Sequence, residues 1–250
     1  MTPLVIGHRG ARRLAVENTL ESLRIALDLG ADGVEFDVQL TADGELVLFH
    51  DDDLQRLANR PDAVTALAWR DLRAMTLGDG QLQTQRPAHL DEVLELLAGR
   101  NVHVNAELKV NAGDRSGGLH LADAFVRRLE QAPGGNWLIS SFQQAPLAQV
   151  ARAQLGRPLA ALVDAQPPGD FWPLALRPAE LDWPVTSVNP HVALVNAERL
   201  ALWRGQGWQV WTWTVNAPAQ WEYLCDVAIS AIITDEPDVL LHFLRRHGKR

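Results

Sequence analysis

The 250-residue chain has a single cysteine, Cys225, so no intrachain disulfide can staple it. That lone thiol reads as a small buried hydrophobe. There is no basic surplus either. The net charge is -8 at pH 7, which argues against a broad surface for nucleic acid. No apolar run approaches membrane length, and the initial Leu4-Val5-Ile6 stretch is too short for a signal-peptide core. The expectation is therefore a cytoplasmic chain with neither membrane nor nucleic acid as a partner. Internal repeats, low-complexity tracts, cysteine clusters and HExxH patterns are missing as well, which argues against a solenoid and against a structural or protease-type zinc site. An acidic chain can still take an anionic substrate, because a cation held by carboxylates inverts the local field.

What is present is an ordinary globular balance, 47% hydrophobic and 22% charged, at a length typical of one α/β barrel. Short apolar runs predict strands over 4–7, 33–39, 46–50, 102–109, 137–141, 159–163, 185–188, 209–214 and 231–234. Helical patterns fall between most of them, over 19–29, 90–98, 119–131, 145–155, 197–206 and 218–226. This alternation predicts an α/β fold with a parallel sheet, and the Pro/Gly cluster at 166–169 reads as a loop. Nine strands are one too many for an eight-stranded barrel. The surplus lies at Thr41-Ala42-Asp43-Gly44-Glu45, where Asp-Gly signals a two-residue hairpin turn that sets Asp37 directly opposite His50. Strand alternation then puts Glu35 on the same face, with Val34, Phe36, Val38, Leu40, Val47 and Phe49 on the opposite, core face.

The next strand alternates in the same way. His103, Asn105, Glu107 and Lys109 interleave with Val102, Val104, Ala106, Leu108 and Val110. The apolar set belongs under the helices, so the polar set points into the barrel. A buried Glu107 needs a cation, either Lys109 or a metal, and residues i and i+2 on a strand are poorly placed for close contact. Glu35, Asp37 and Glu107 offer hard oxygen donors suited to one Mg²⁺ or Ca²⁺. The first strand ends in Gly7-His8-Arg9-Gly10, where an active-site mouth would lie and an arginine can clamp a phosphate. Histidines with a reference pKa of about 6.5 suit acid–base work there. Asn18 can be read as a helix N-cap or as a contact with the site.

Taken in order, several pieces resemble the glycerophosphodiester phosphodiesterase family, especially its short bacterial cytosolic members. They are His8-Arg9-Gly10, Glu17-Asn18-Thr19, Glu35-Phe36-Asp37, Asp43-Gly44-Glu45, His50-Asp51, Asn105-Ala106-Glu107-Leu108-Lys109, Ser140-Ser141-Phe142, Trp213-Thr214-Val215-Asn216 and Ile232-Ile233-Thr234-Asp235. The resemblance implies a distorted (β/α)8 TIM barrel in a single domain over 1–250, with 51–88 as a small insertion or lid after the second-strand hairpin. It implies metal ligation by Glu35, Asp37 and Glu107, an acid–base pair in His8 and His50, phosphate contacts from Arg9 and Lys109, and a pocket wall from Trp213. The implied reaction is metal-dependent hydrolysis of a small-molecule glycerophosphodiester to an alcohol and sn-glycerol 3-phosphate. Val16, Leu57 and the Asn189-Pro190 pair depart from the family pattern, which bears on the leaving group rather than on the ligands. A related lyase that stops at a cyclic phosphate is the alternative chemistry. Its known relatives are secreted and disulfide-bonded, unlike a chain with one cysteine.

Overall fold

Eight parallel strands close into a ring in the computed structural model, which describes residues 2–250 apart from 79, 113, 133, 134 and 166–182. The barrel strands are β1 (Leu4–Gly7), β2 (Gly33–Leu40), β5 (His103–Leu108), β6 (Asn136–Ser141), β7 (Leu159–Val163), β8 (Ser187–Pro190), β9 (Gln209–Thr212) and β10 (Ala231–Thr234). Each pairs with the next, and β10 and β2 both pair with β1, which closes the ring. Two short antiparallel strands, β3 (Leu46–Leu48) and β4 (Ala88–His89), extend the sheet outward from β2. The surplus strand of the sequence reading is β3. The expected loop at 166–169 lies outside the described residues.

Period-2 alternation separates the layers. Val34, Phe36 and Val38 of β2 and Val104, Ala106 and Leu108 of β5 pack outward in the main core. Over them lie α1 (Leu20–Asp28), α4 (Leu90–Leu97), α5 (Leu119–Leu129), α6 (Gln144–Arg152), α7 (Ala197–Gly205), α8 (Pro218–Asp226) and α9 (Pro237–Arg246). Inside the barrel a small apolar plug, with Ile6, Leu138, Ala160, Trp211, Ala231 and Ile233, forms the floor. Truncating Phe36, which is fully buried and meets Trp137 edge-on, would cost about 3–5 kcal/mol. Helix α9 was not anticipated, although Pro237 at its first turn and the Leu240, Leu241, Leu244 stripe mark it.

The hairpin register differs from the expectation by one residue. Val38 pairs with Leu48 and Leu40 with Leu46. The turn is not a two-residue one: the Gly44 N–H donates to the Thr41 carbonyl at 3.0 Å, and the Thr41 N–H donates to the Glu45 carbonyl at 2.9 Å. Gly44 has φ +86°, so a three-residue loop ends in a left-handed glycine. Phe49, not His50, is therefore bonded to Asp37, its N–H donating to the Asp37 carbonyl at 3.1 Å. The shift exchanges the faces of β3. Leu46 and Leu48 join the main core, while Val47 and Phe49 turn toward the segment that follows.

That segment, 51–88, builds a core of its own from Leu54, Leu57, Val64, Leu72 and Leu77, closed by Val16, Val47 and Phe49. It carries two short helices, α2 (Gln55–Ala58) and α3 (Trp69–Leu72). Val16 and Leu57, two departures from the family pattern, are apolar packing residues of this cluster. Strand β8 runs two residues later than expected. Its polar-then-proline end reads as a loop, yet the Pro190 carbonyl accepts from Thr212 Oγ1 and the Trp213 N–H.

Candidate active site

The carboxyl ends of the barrel strands surround a cavity of about 270 Å³. One side is polar, with His8, Arg9, Glu35, His50, Glu107 and Lys109. The other is largely apolar, with Phe142, Leu162, Trp213 and Ile233. The alternation that buries Val34 and Phe36 outward turns Glu35 and Asp37 inward. Because β5 lies in register beside β2, Asp37 is the neighbour of Glu107. One carboxylate oxygen from each of Glu35, Asp37 and Glu107 lies within 4.8 Å of the others, and all three residues are buried.

His8 follows β1 directly, its N–H donating to the Thr234 carbonyl at 2.8 Å. The turn behind it is tight. Gly10 sits at φ +85°, and a Cβ there would fall 2.4 Å from Ser22. Arg9 (φ 52°) donates its backbone N–H to Glu35 Oε2 at 2.9 Å. Its guanidinium donates from Nη1 to Glu17 Oε1 at 2.7 Å, and Nε lies 3.2 Å from Asp37 Oδ2. Asn18 is a contact with the site, not the helix cap. Its Nδ2 donates to Asp37 Oδ2 at 2.8 Å and its Oδ1 accepts the Asp37 N–H at 3.1 Å. The cap falls one residue on, where Thr19 Oγ1 accepts from the Ser22 N–H.

Lys109 corrects the geometric expectation for an i, i+2 pair. It follows the last residue of β5, and its long stem brings Nζ to 3.3 Å from Glu107 Oε1 and 4.0 Å from Asp37 Oδ1. The ammonium also sits over the Phe142 ring, 5.7 Å from its centroid. Glu107 Oε1 nonetheless has no aligned donor and is shut off from solvent. A buried carboxylate oxygen without a hydrogen bond, beside two more carboxylates, is the donor set a hard divalent cation satisfies.

Both imidazoles are oriented by a carboxylate. His8 Nδ1 lies 2.6 Å from Asp235 Oδ1, and His50 Nδ1 lies 2.7 Å from Asp51 Oδ1. An ionised carboxylate only accepts, so each Nδ1 carries the proton and Nε2 is the nitrogen left for chemistry. Asn216 Nδ2 fixes Asp235 in turn, at 2.7 Å from Oδ2. Trp213 closes the apolar side, its Nε1 donating to the Asn189 carbonyl at 2.7 Å and its ring meeting Phe142 edge-on.

These contacts set the charges. Burial pushes the Glu35 carboxyl well above its usual range, reinforced by Asp37 and Glu107. Burial also raises Glu107, despite the pull of Lys109. For Asp37 burial acts upward too, but Arg9, His50 and Lys109 outweigh it and hold it low. Glu17 is likewise opposed by burial, yet hydrogen bonds from Arg56 and the charges of Arg9 and Arg12 bring it down to about 2. Burial lowers the His8 imidazole, against its bond to Asp235, so it is neutral near pH 7.

The sequence reading named the eight residues His8, Arg9, Glu35, Asp37, His50, Glu107, Lys109 and Trp213, and the fold brings them around this one cavity. Asp37 lies just beneath its wall. The reading assigned no role to Asp235, Asn216, Phe142 or Arg56. Asp235 carried a signal, since it follows β10 as His8 follows β1, at the mouth end of a barrel strand.

A profile of the Glycerophosphoryl diester phosphodiesterase family matches residues 8–239. A glycerophosphodiester phosphodiesterase of Caldanaerobacter subterraneus is 29% identical, over 99% of this chain and all of that one. Among solved structures, a phosphodiesterase of Oleispira antarctica in complex with the product sn-glycerol-3-phosphate superposes with a TM-score of 0.83 at 26% identity, covering 98% of this chain and 97% of its own. A glycerophosphodiester phosphodiesterase of Thermotoga maritima gives 0.77 at 26% identity, covering 97% and 98%.

Proposed function

Because the chain belongs to the glycerophosphoryl diester phosphodiesterase family, we propose that it hydrolyses glycerophosphodiesters to an alcohol and sn-glycerol 3-phosphate, using one divalent cation and a histidine pair. The observation that carries the reading is the meeting of three carboxylates and two carboxylate-oriented imidazoles around one cavity of about 270 Å³.

Glu35, Asp37 and Glu107 would hold the cation, and their all-oxygen character favours Mg²⁺ or Ca²⁺. When bound, such an ion supplies Lewis-acid polarisation of a phosphoryl oxygen. Arg9 and Lys109, already facing the carboxylates, present positive charge to the phosphate. His8 and His50 each keep Nε2 for proton transfer. One takes the proton of the nucleophile, water or the glycerol 2-hydroxyl, and the other gives a proton to the departing alkoxide; water then opens the cyclic phosphate that the second route forms. Trp213 and Phe142 give the carbon skeleton of the substrate an apolar wall to pack against. The whole chain acts as one catalytic domain, with the 51–88 segment as an insertion beside the mouth. No helix among the described residues is long and apolar enough to cross a membrane.

The test is a panel of glycerophosphodiesters with different alcohols, assayed for released sn-glycerol 3-phosphate after exhaustive chelation and again with each cation restored. Cation-dependent release supports the reading. Full activity after chelation would remove the metal from it, and a cyclic phosphate as the final product in phosphorus NMR would assign the lyase chemistry instead.

A further inference from the structure

Among the described residues of the 51–88 segment, none lines the central cavity. The segment instead walls a second cleft through Asp52, Ala63 and Thr65. Yet one of its side chains reaches the site by another route. Arg56, on α2, uses two edges of its guanidinium plane at once. Nε and Nη2 donate to the two oxygens of Asp51 at 2.7 and 3.1 Å. Nη1 and Nη2 donate to the two oxygens of Glu17 at 3.0 and 2.7 Å. Asp51 is the carboxylate that holds His50 Nδ1, and Glu17 is the carboxylate that holds Arg9 Nη1.

We infer that Arg56 is a positioning residue for diester cleavage. One guanidinium locks Asp51, and through it the His50 ring, to Glu17, and through it the Arg9 fork. The 51–88 insertion thus buttresses the site from behind. The inference rests on the function proposed above.

Three observations favour this over a simple surface ion pair. His50 lies beyond the end of β3, off the sheet ladder, with 30% of its side chain exposed, so its orientation depends on side-chain contacts. Arg56 is itself 43% exposed, and the buried Glu17 keeps its ion pairs with Arg9 and Arg12 when that guanidinium is removed, so the loss to folding is small. The helix that carries it is anchored without those pairs: Leu57 is buried among Leu54, Val47 and Phe49, and its carbonyl accepts from the Gly78 N–H at 2.8 Å. Removing the guanidinium therefore leaves α2 in place but frees the Asp51 carboxylate, and with it the imidazole. Only an arginine offers two bidentate edges in one plane. A lysine supplies the charge as a point and cannot hold both carboxylates in register.

The test compares Arg56→Ala, Arg56→Gln and Arg56→Lys with the wild-type holoenzyme. The expected result is a fall in kcat of about 10- to 100-fold in Ala and Gln, an unfolding temperature within about 3 °C of wild type in each, and little recovery of kcat in Lys, as small ion-pair energies and bidentate geometry require. Methylguanidinium should restore part of the Arg56→Ala activity, and methylammonium at equal ionic strength should not. Imidazole ¹⁵N spectra give a readout that needs no turnover, with the single Nδ1–H tautomer of His50 giving way to a mixture in Arg56→Ala. A kcat within twofold of wild type in Ala and Gln, a fully active Lys variant, or an unchanged His50 spectrum would overturn the inference. A wild-type protein that releases no sn-glycerol 3-phosphate would instead overturn the proposed function, while the spectra would still report on the linkage.

Discussion

Exchanging Glu107 for glutamine should make the cation-free protein more heat-resistant and the cation-loaded protein less so. The donor oxygens of Glu35, Asp37 and Glu107 lie within 4.8 Å of one another. At an effective dielectric of about 20, two unit charges at that separation repel by about 3.5 kcal/mol. Glu107 faces two such neighbours and one close counter-charge, Lys109 Nζ at 3.3 Å, worth about 5 kcal/mol on the same scale. Burial is the largest cost to the Glu107 charge and, with Asp37 adding to it, outweighs the pull of Lys109, so Glu107 is shifted upward. Neutralising it should stabilise the cation-free fold, raising its unfolding temperature by about 2–4 °C for each kcal/mol of burial cost relieved in a chain of this length. A cation at a hundredfold its dissociation constant should stabilise the wild type by about 2.7 kcal/mol, and the variant should forgo most of that.

The order of the two unfolding temperatures should therefore invert between EDTA and saturating Mg²⁺ or Ca²⁺, as read by differential scanning fluorimetry. Glu35 and Glu107 have folded-state values above their ordinary value of 4.5. They favour the fold below that value and lose this contribution as pH rises through the raised ones. The gap in EDTA should accordingly close in acid. The same order in both buffers, or a wild type indifferent to cations, would refute the reasoning.

Replacing His8 or His50 with alanine should lower kcat by at least about 100-fold while the protein stays folded by circular dichroism. Near-normal turnover in either variant would exclude that residue from proton transfer. Asn18→Leu removes both hydrogen bonds that orient Asp37 without adding a charge, so calorimetry should find cation affinity lower by about 10- to 100-fold, and an unchanged affinity would contradict the contact's importance. Glu17 titrates near 2 in the fold against an ordinary 4.5. Its contribution, up to about 3 kcal/mol, is present above pH 4.5 and lost as pH falls toward 2. Glu17→Gln should therefore cost stability in urea titrations at pH 7 and little at pH 2, and an equal cost at both would sink the assignment.

Strand alternation carried most of what the sequence revealed. In β2 and β5 the apolar set had to lie under helices, so Glu35, Asp37 and Glu107 had to face one another, whatever the loop details. The hairpin was read one residue out of register because Asp43-Gly44 suits a two-residue turn as well as the three-residue loop that Gly44 closes, and only the cross-strand partners decide between them. The error moved Val47 and Phe49 to the other face but left His50 at the mouth, because a residue past the end of a strand is placed by its contacts more than by the ladder. Asn18 was ambiguous for a different reason. Caps and site contacts draw on the same short polar side chains, and what decides is the φ of 56° that turns Asn18 away from the helix start. Arg56 was invisible as part of the site, since its partners, Glu17 and Asp51, lie 39 and 5 residues away and meet only through the packing of Leu57.

The most direct measurement is the anomalous scattering of a crystal soaked with Mn²⁺ and sn-glycerol 3-phosphate. One manganese peak bounded by oxygens of residues 35, 37 and 107, with a phosphate oxygen beside it and both imidazole Nε2 atoms turned to the ligand, is the predicted outcome. A metal bound elsewhere, or a phosphate seated away from those acids, would contradict the account.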